Sequence, residues 1–422
     1  MSNPLDEIVH AQKQGKRCGI TSICSAHPWV LKAAMQGKGS LLIESTCNQV
    51  NQFGGYTGMT PSAFVTYVHG LAVENGFPVE RLILGGDHLG PSAWRNEPAA
   101  SAMQKSVDLV RAYVQAGYTK IHLDASMKLG NDAPSRLLDV ELAARRAACL
   151  AKAAESVCSD LGLDCKPRYV IGTEVPIPGG ATAHEDSVSV TKVEAARRTF
   201  DVMRAAFVAE GLEAAWERVI ALVVQPGVEF GDDFVLDYNP EAARDLVRFS
   251  ETTPFVYEAH STDYQTGDNL RNLVRDHFAI LKVGPALTFA FREAVFSLAM
   301  MENELIPAGR RSNLIEVLDE AMIRQPEHWR EYYRGDKTFQ RLARKFSRSD
   351  RLRYYWGFPQ VQAALGQLLQ NLGGKTIPLT LVSQYAPGQW EKISHGQIDN
   401  TPEAIILDKV NSVLAEYAFA QG

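Results

Sequence analysis

The stretch "LILGGDHLGP", residues 82–91, is a short apolar run that stops abruptly at two glycines and passes straight into an Asp-His pair. Gly85 and Gly86 let another group come close to the backbone, while Asp87 and His88 present a carboxylate and an imidazole side by side. That pairing can bind a divalent cation or move a proton. Similar groups end other apolar runs: Glu44 in "LLIES", Asp124 and Ser126 in "IHLDAS", Thr173 and Glu174 in "VIGTE", Gln225 in "LVVQPG", Glu258 and His260 in "VYEAHS", and Lys282 in "ILKVG". Two histidines with carboxylates suit Zn²⁺ or Mn²⁺, either of which can polarise a carbonyl and stabilise an enediolate. His88 and His260 are the expected ligands, with Asp87, Asp124 and Glu174 as the acidic groups around them. Some residues have plainer readings. His122 reads as a hydrogen-bonded core or rim residue, His27 before Pro28 as a helix-start residue, and Glu44 equally well as a cap.

These residues need elements that bring them to one place. Apolar runs of strand length recur at 18–24, 40–45, 81–86, 119–126, 168–174, 219–227, 253–261 and 278–286, and stretches with helical periodicity separate them. Eight strands alternating with helices predict an α/β fold, a (β/α)8 TIM barrel over residues 1–300. Active sites of that fold gather at the carboxyl ends of the strands, where the polar residues named above fall. Residues two apart share a strand face, which pairs His122 with Asp124 and Glu258 with His260. The strand rhythm ends near residue 295, and 301–422 reads as a mainly helical extension packed on the barrel or on a partner.

Composition fixes the class of protein. The 422 residues are 45% hydrophobic and 22% charged, enough for one large core with an appendage. A formal charge of −6 argues against a general nucleic-acid binder, so an anionic ligand needs a local pocket. Six cysteines, all within the first 165 residues and without CxxC spacing, predict neither a zinc knuckle nor a disulfide scaffold. The polar start and the lack of any membrane-length apolar run predict a cytoplasmic protein without a membrane partner.

The segments "GGDHLGP", "IHLDAS", "GTEVPIPGGATAHED" and "YEAHSTDYQ" resemble, over essentially the whole chain, the GatZ/KbaZ family of non-catalytic subunits of D-tagatose-1,6-bisphosphate aldolase. That family is similar in turn to zinc-dependent class II ketose-bisphosphate aldolases. The resemblance implies an acid/base role for Asp87, ligand roles for His88, His260 and Glu174, and an acidic lining that includes Asp124. Gly179, Gly180, Glu185 and Asp186 resemble the mobile loop after the fifth strand. The aldolases carry a further histidine ligand after the sixth strand, where this chain has Gln225, a much weaker donor. Phosphate binding is suggested by "HST" at 260–262 and "KVGPALT" at 282–288, through Ser261, Gly284 and Lys282, whose amides and ammonium could cradle an anion.

Three functions follow. The first is an accessory subunit that stabilises a class II aldolase catalytic subunit, in an oligomer that handles a sugar or sugar phosphate. The second is a metal-dependent ketose epimerase, in which Glu174 or Asp87 moves a proton while the metal holds the substrate oxygens, with Asp124 as the third expected catalytic carboxylate, since similar families act on tagatose, fructose or tagaturonate. The third, a sugar-phosphate kinase, ranks last because no GxxxxGK[ST] loop is present. Residues 330–356 carry nine basic against three acidic side chains, which reads as a solvated or subunit-facing helical surface. The sharper reading has Arg348, Arg351 or Arg353 reaching over the mouth to hold a substrate phosphate.

Overall fold

A computed structural model describes residues 3–133, 138–173, 180–181 and 187–421. The apolar runs become strands β1 (Ile20–Ile23), β2 (Leu41–Thr46), β3 (Leu82–Leu89), β4 (Lys120–Leu123), β5 (Arg168–Ile171) and β6 (Val219–Val223). A small antiparallel ribbon, β7 (Glu229–Phe230) with β8 (Val235–Leu236), precedes β9 (Val256–Ala259) and β10 (Phe278–Val283). The eight larger strands are parallel and close into a barrel, sealed by β1 against β10 in the register Ile20↔Ile280 to Ile23↔Val283. Their apolar sequences follow from burial on both faces.

The lower interior is a layer of Ile20, Leu42, Ile83, Val170, Ile220, Val256 and Ile280. The first helix, Pro4–Lys13, sets Leu5, Ile8 and Val9 against that layer and plugs the amino-terminal end. Asn3 accepts from the Leu5 amide and caps the helix, and Pro4 is preset for its first turn. With that end closed, the barrel opens at the carboxyl ends of its strands.

Helix Pro285–Leu305 follows β10, so the barrel's last helix runs a little past residue 300. The chain beyond it is helical, as the missing strand rhythm predicts. Its final helix, Pro402–Gln421, returns to pack on helices Pro28–Ala34, Gly267–Arg275 and Pro285–Leu305. Tyr417 of that helix donates to the Thr262 carbonyl at 2.9 Å. Among the described residues no helix is long and apolar enough to cross a membrane.

Candidate active site

The two glycines of "GGDH" have separate structural reasons. A Cβ on Gly85 would lie 2.6 Å from Glu44 Cγ, so its absence lets the Glu44 side chain cross the strand. One on Gly86 would lie 2.4 Å from Leu89 Cδ1. Just beyond, the register of β3 on β4 shifts between Gly86 and Leu89, and His88 sits at φ +49°. Successive side chains of a regular strand point to opposite faces; this bulge turns Asp87 and His88 to the same mouth. A non-glycine residue in the left-handed region is strained, and strain of that kind collects at functional sites. Ser261, at φ +54°, repeats it just after β9.

At the centre is a buried charge network. Lys120 Nζ lies 2.6 Å from Glu44 Oε1 and 2.6 Å from Glu258 Oε2; the second contact is off the hydrogen-bonding direction and acts as an ion pair only. Lys282 Nζ contacts Glu44 Oε2 and Asp87 Oδ1 at 2.8 Å each and Glu258 Oε1 at 3.4 Å. Ser22 Oγ donates to Glu44 Oε1 at 2.7 Å. Burial works against the Lys282 ammonium, but the three carboxylates overcome it and hold its pKa well above the usual lysine range. Burial likewise opposes the Asp87 carboxylate, yet His88 and Lys282 hold its pKa well below normal.

Three imidazoles surround Asp87. His88 donates from Nδ1 to Asp124 Oδ2 at 2.8 Å, which leaves Nε2, 3.7 Å from Asp87 Oδ2, as its inward atom. Asp124 is fixed in turn by the Ser126 hydroxyl at 2.6 Å and the Ser126 amide at 3.1 Å. His260 donates from Nε2 to Glu258 Oε1 at 3.0 Å, so Nδ1 keeps a free lone pair. Burial lowers the His260 pKa to about 4, only partly offset by Glu258, and the ring is neutral near pH 7. His122 Nδ1 lies 3.2 Å from the His88 amide and 3.0 Å from Asp87 Oδ1, and its buried Nε2 has no partner.

One donor atom from each of Asp87, His88, His122 and His260 lies within 4.8 Å of the others, and all four residues are buried. The donor set suits a divalent ion. Two further observations fit it. The unpartnered His122 nitrogen is a donor atom in search of a ligand. The carboxylates Glu44, Asp87, Asp124 and Glu258 outnumber the ammonium groups of Lys120 and Lys282 by two, the charge of one such ion when the imidazoles are neutral. The hydrogen bond from His88 to Asp124 is the outer partner that metal-binding histidines usually have.

The sequence expectations are met unevenly. Asp87, His88, His260, Ser261, Lys282 and Gly284 line one cavity of about 100 Å³ at the mouth. Glu44 lies behind it and orients the two lysines, while Asp124 and Ser126 act through His88. His122, read from sequence as core or rim, belongs to the donor cluster. His27 does start a helix, Pro28–Ala34, as expected. Glu174, Gly179, Glu185 and Asp186 lie outside the described residues.

Three expectations need correction. Gln225 turns its side-chain oxygen to the amides of Gly227 and Val228, at 2.8 and 3.1 Å, and closes its own turn. The anion cradle at the start of helix Pro285–Leu305 is already filled: Asp263 Oδ1 accepts from the Gly284 and Ala286 amides at 3.0 and 2.8 Å. Arg348 lies over the Tyr264 ring and does not reach the mouth; of the three arginines, Arg353 does, with Tyr354 beside it. The missed residues left signals. Lys120 and His122 alternate with apolar residues in β4, Asp124 follows at its end, and a lysine inside a buried strand needs a carboxylate partner.

Residues 5–421 match the family described as D-tagatose-1,6-bisphosphate aldolase subunit GatZ/KbaZ-like. The chain is 52% identical over 419 residues to the D-tagatose-1,6-bisphosphate aldolase subunit GatZ of Salmonella heidelberg, covering 98% of each chain. It is 52% identical over 421 residues to that of Salmonella newport, again with 98% of each covered. A crystal structure described as a probable tagatose 6 phosphate kinase from Sinorhizobium meliloti superposes with a TM-score of 0.87 at 45% identity, over 96% of this chain and 100% of that one. On whole-length identity, the chain belongs to the GatZ/KbaZ-like family.

Proposed function

We propose that this chain is the accessory subunit of a class II D-tagatose-1,6-bisphosphate aldolase in tagatose or galactitol-type carbohydrate catabolism, working in the cytoplasm with a separate catalytic subunit. Identity along 98% of the chain to proteins named as subunits of that aldolase carries the reading. The mouth supports the non-catalytic half of it. The cavity at the donor cluster itself is about 100 Å³, room for one end of a sugar only. Asp87, the expected acid/base, is engaged by Lys282 and His122. The helix amides that would hold a phosphate are engaged by Asp263.

A divalent ion, zinc in this reading, would be held by Asp87, His88, His122 and His260. It would supply Lewis-acid polarisation of a ketose oxygen. The chain's own residues hold the donors ready: Asp124 fixes the His88 tautomer, Glu258 fixes that of His260, and the two lysines balance most of the carboxylate charge. A kinase has no comparable support, since the sequence has no phosphate-binding GxxxxGK[ST] loop.

Stabilisation of a partner would act by mass action, through an interface made only between folded subunits. The test is aldol cleavage of tagatose 1,6-bisphosphate by this chain, by a catalytic aldolase subunit, and by their mixture, followed during warming. The expected result is no cleavage by this chain and a longer active lifetime in the mixture. Robust cleavage by this chain alone, or an unchanged lifetime together with metal-dependent conversion of an unphosphorylated ketose, overturns the reading.

A further inference from the structure

Beside the mouth lies a second chamber of about 250 Å³. The two share Cys24, Gln49, Tyr56, Gly284, Arg353 and Tyr354 as walls, so they adjoin. The chamber has a different character from the mouth. Among the described residues no carboxylate lines it, and Arg353, at the shared wall, is its only cation. Trp356, Phe358 and Met59 line it together with the polar groups of Gln49 and Thr57.

Two wall residues carry polar atoms that the protein leaves unanswered. His27 is 9% exposed and Trp356 2%; neither His27 ring nitrogen nor Trp356 Nε1 has a hydrogen-bond partner. Buried side-chain donors and acceptors are nearly always paired, and each exception asks for a reason. His27 packs its ring 4.2 Å from that of Phe291 and 6.0 Å from that of Trp356. Burial keeps it neutral, so it carries one donor and one acceptor. A neutral donor-acceptor ring, an indole N–H and an amide, set among aromatic faces, match hydroxyl groups on an apolar carbon skeleton.

We propose that this chamber binds the uncharged, hydroxyl-bearing end of a sugar whose other end enters the neighbouring mouth, with His27 and Trp356 Nε1 as the groups that meet its hydroxyls. The volume suits a few hydroxylated carbons, less than a drug-sized ligand needs. Arg353 and Tyr354, at the shared wall, select how the two ends are divided. Both come from the carboxy-terminal extension, which makes that segment part of the binding surface. The choice of sugar rests on the function proposed above, whereas the chamber and its unpaired groups do not.

The test uses the full chain without an aldolase partner and titrates D-tagatose 6-phosphate, D-tagatose and inorganic phosphate by calorimetry. His27→Phe keeps a flat ring while removing both nitrogens, and Met59→Trp puts a larger side chain at another lining position of the chamber. Each is expected to weaken binding of D-tagatose 6-phosphate by about tenfold or more, the worth of one lost hydrogen bond. Affinity for inorganic phosphate should stay unchanged in both variants. Thermal unfolding of His27→Phe should match or exceed wild type, because a buried unpaired group is removed. Wild-type affinity for D-tagatose 6-phosphate in both variants, or no binding of either tagatose form by the unmodified chain, overturns the proposal. Failure of the accessory role would appear elsewhere, as an unchanged lifetime of the aldolase mixture.

Discussion

Replacing Lys120 with methionine tests the central network directly. The change keeps most of the length of the side chain and removes the ammonium, so packing is largely conserved. Lys120 Nζ and both its partners, Glu44 and Glu258, are fully buried. Removing one partner of a buried ion pair usually costs about 3–5 kcal/mol, because the remaining charge stays out of water. Here each carboxylate keeps Lys282, at 2.8 Å from Glu44 and 3.4 Å from Glu258, and Glu258 also keeps His260. The loss is therefore expected at the lower end, about 3 kcal/mol. It would be read from urea unfolding followed by far-UV circular dichroism and tryptophan fluorescence, whose transitions must coincide for a single free energy to have meaning. The double variant Lys120→Met with Glu258→Gln removes one charge of each sign. It should be more stable than the sum of the single effects by roughly 0.5–3 kcal/mol, the coupling seen between residues in contact. A cost below about 1 kcal/mol for Lys120→Met, or strict additivity, would refute the claim that charge balance holds the mouth together.

Three further outcomes are expected. Metal analysis should find a divalent ion on the wild-type chain that is lost from the His88→Ala, His260→Ala double variant and from His122→Ala, while Asp124→Asn should weaken binding only by about tenfold to hundredfold, as for an outer partner. Equal occupancy in all of them would exclude the cluster. Burial pushes the Asp263 carboxyl up to about 6, against the pull of the Ala286 and Gly284 amides. A raised folded pKa means that its contribution to stability is complete below about pH 4 and lost as pH rises through about 6, worth roughly 3 kcal/mol. The stability of wild type relative to Asp263→Asn should therefore fall from acid to neutral pH, and a constant difference would contradict the assignment. Residues 1–300 and 301–422 should behave as one cooperative unit, because the last helix covers three helices of the barrel; limited proteolysis that releases a stable folded 301–422 fragment would show otherwise.

The barrel was legible because its signal is periodic and repeated. Each strand needs a run of apolar residues, each crossover a helix, and eight such units leave little choice of closure. The mouth was legible where polar residues interrupted those runs, at Asp87, His88, Glu258, His260 and Lys282. Where the reading failed, the deciding fact was which partner a side chain takes. Gln225 stands where a ligand histidine is expected, but whether its amide faces the mouth or its own turn depends on the path of residues 226–228. Ser261 and Gly284 flag an anion site by type, yet the Gly284 amide belongs to Asp263, which no local spacing predicts. Among Arg348, Arg351 and Arg353, composition sees three equal cations. Only the short turn Arg351–Tyr354 decides which one meets the cavity.

His122 shows how far pattern can be pressed. Its alternation with Lys120 puts both on one face of β4, with Asp124 just past the strand's end, and that much is in the sequence. A histidine on such a face is a core residue if its nitrogens find neutral partners and a ligand candidate if they find carboxylates and a vacancy. The decision therefore rests on β3, the neighbouring strand of the barrel, and on nothing that β4 itself encodes. Gly85 lets Glu44 cross, the bulge turns Asp87 and His88 inward together, and His122 then meets Asp87 at 3.0 Å with its second nitrogen left unpaired. Glycines that admit a carboxylate, a bulge that doubles a strand's inward side chains, and a lysine pair that balances the resulting charge are one arrangement. Removing any of the three leaves the others unfavourable, so a substitution at Gly85 should disturb the same network as one at Lys120, its register partner on β4 and far from it in sequence.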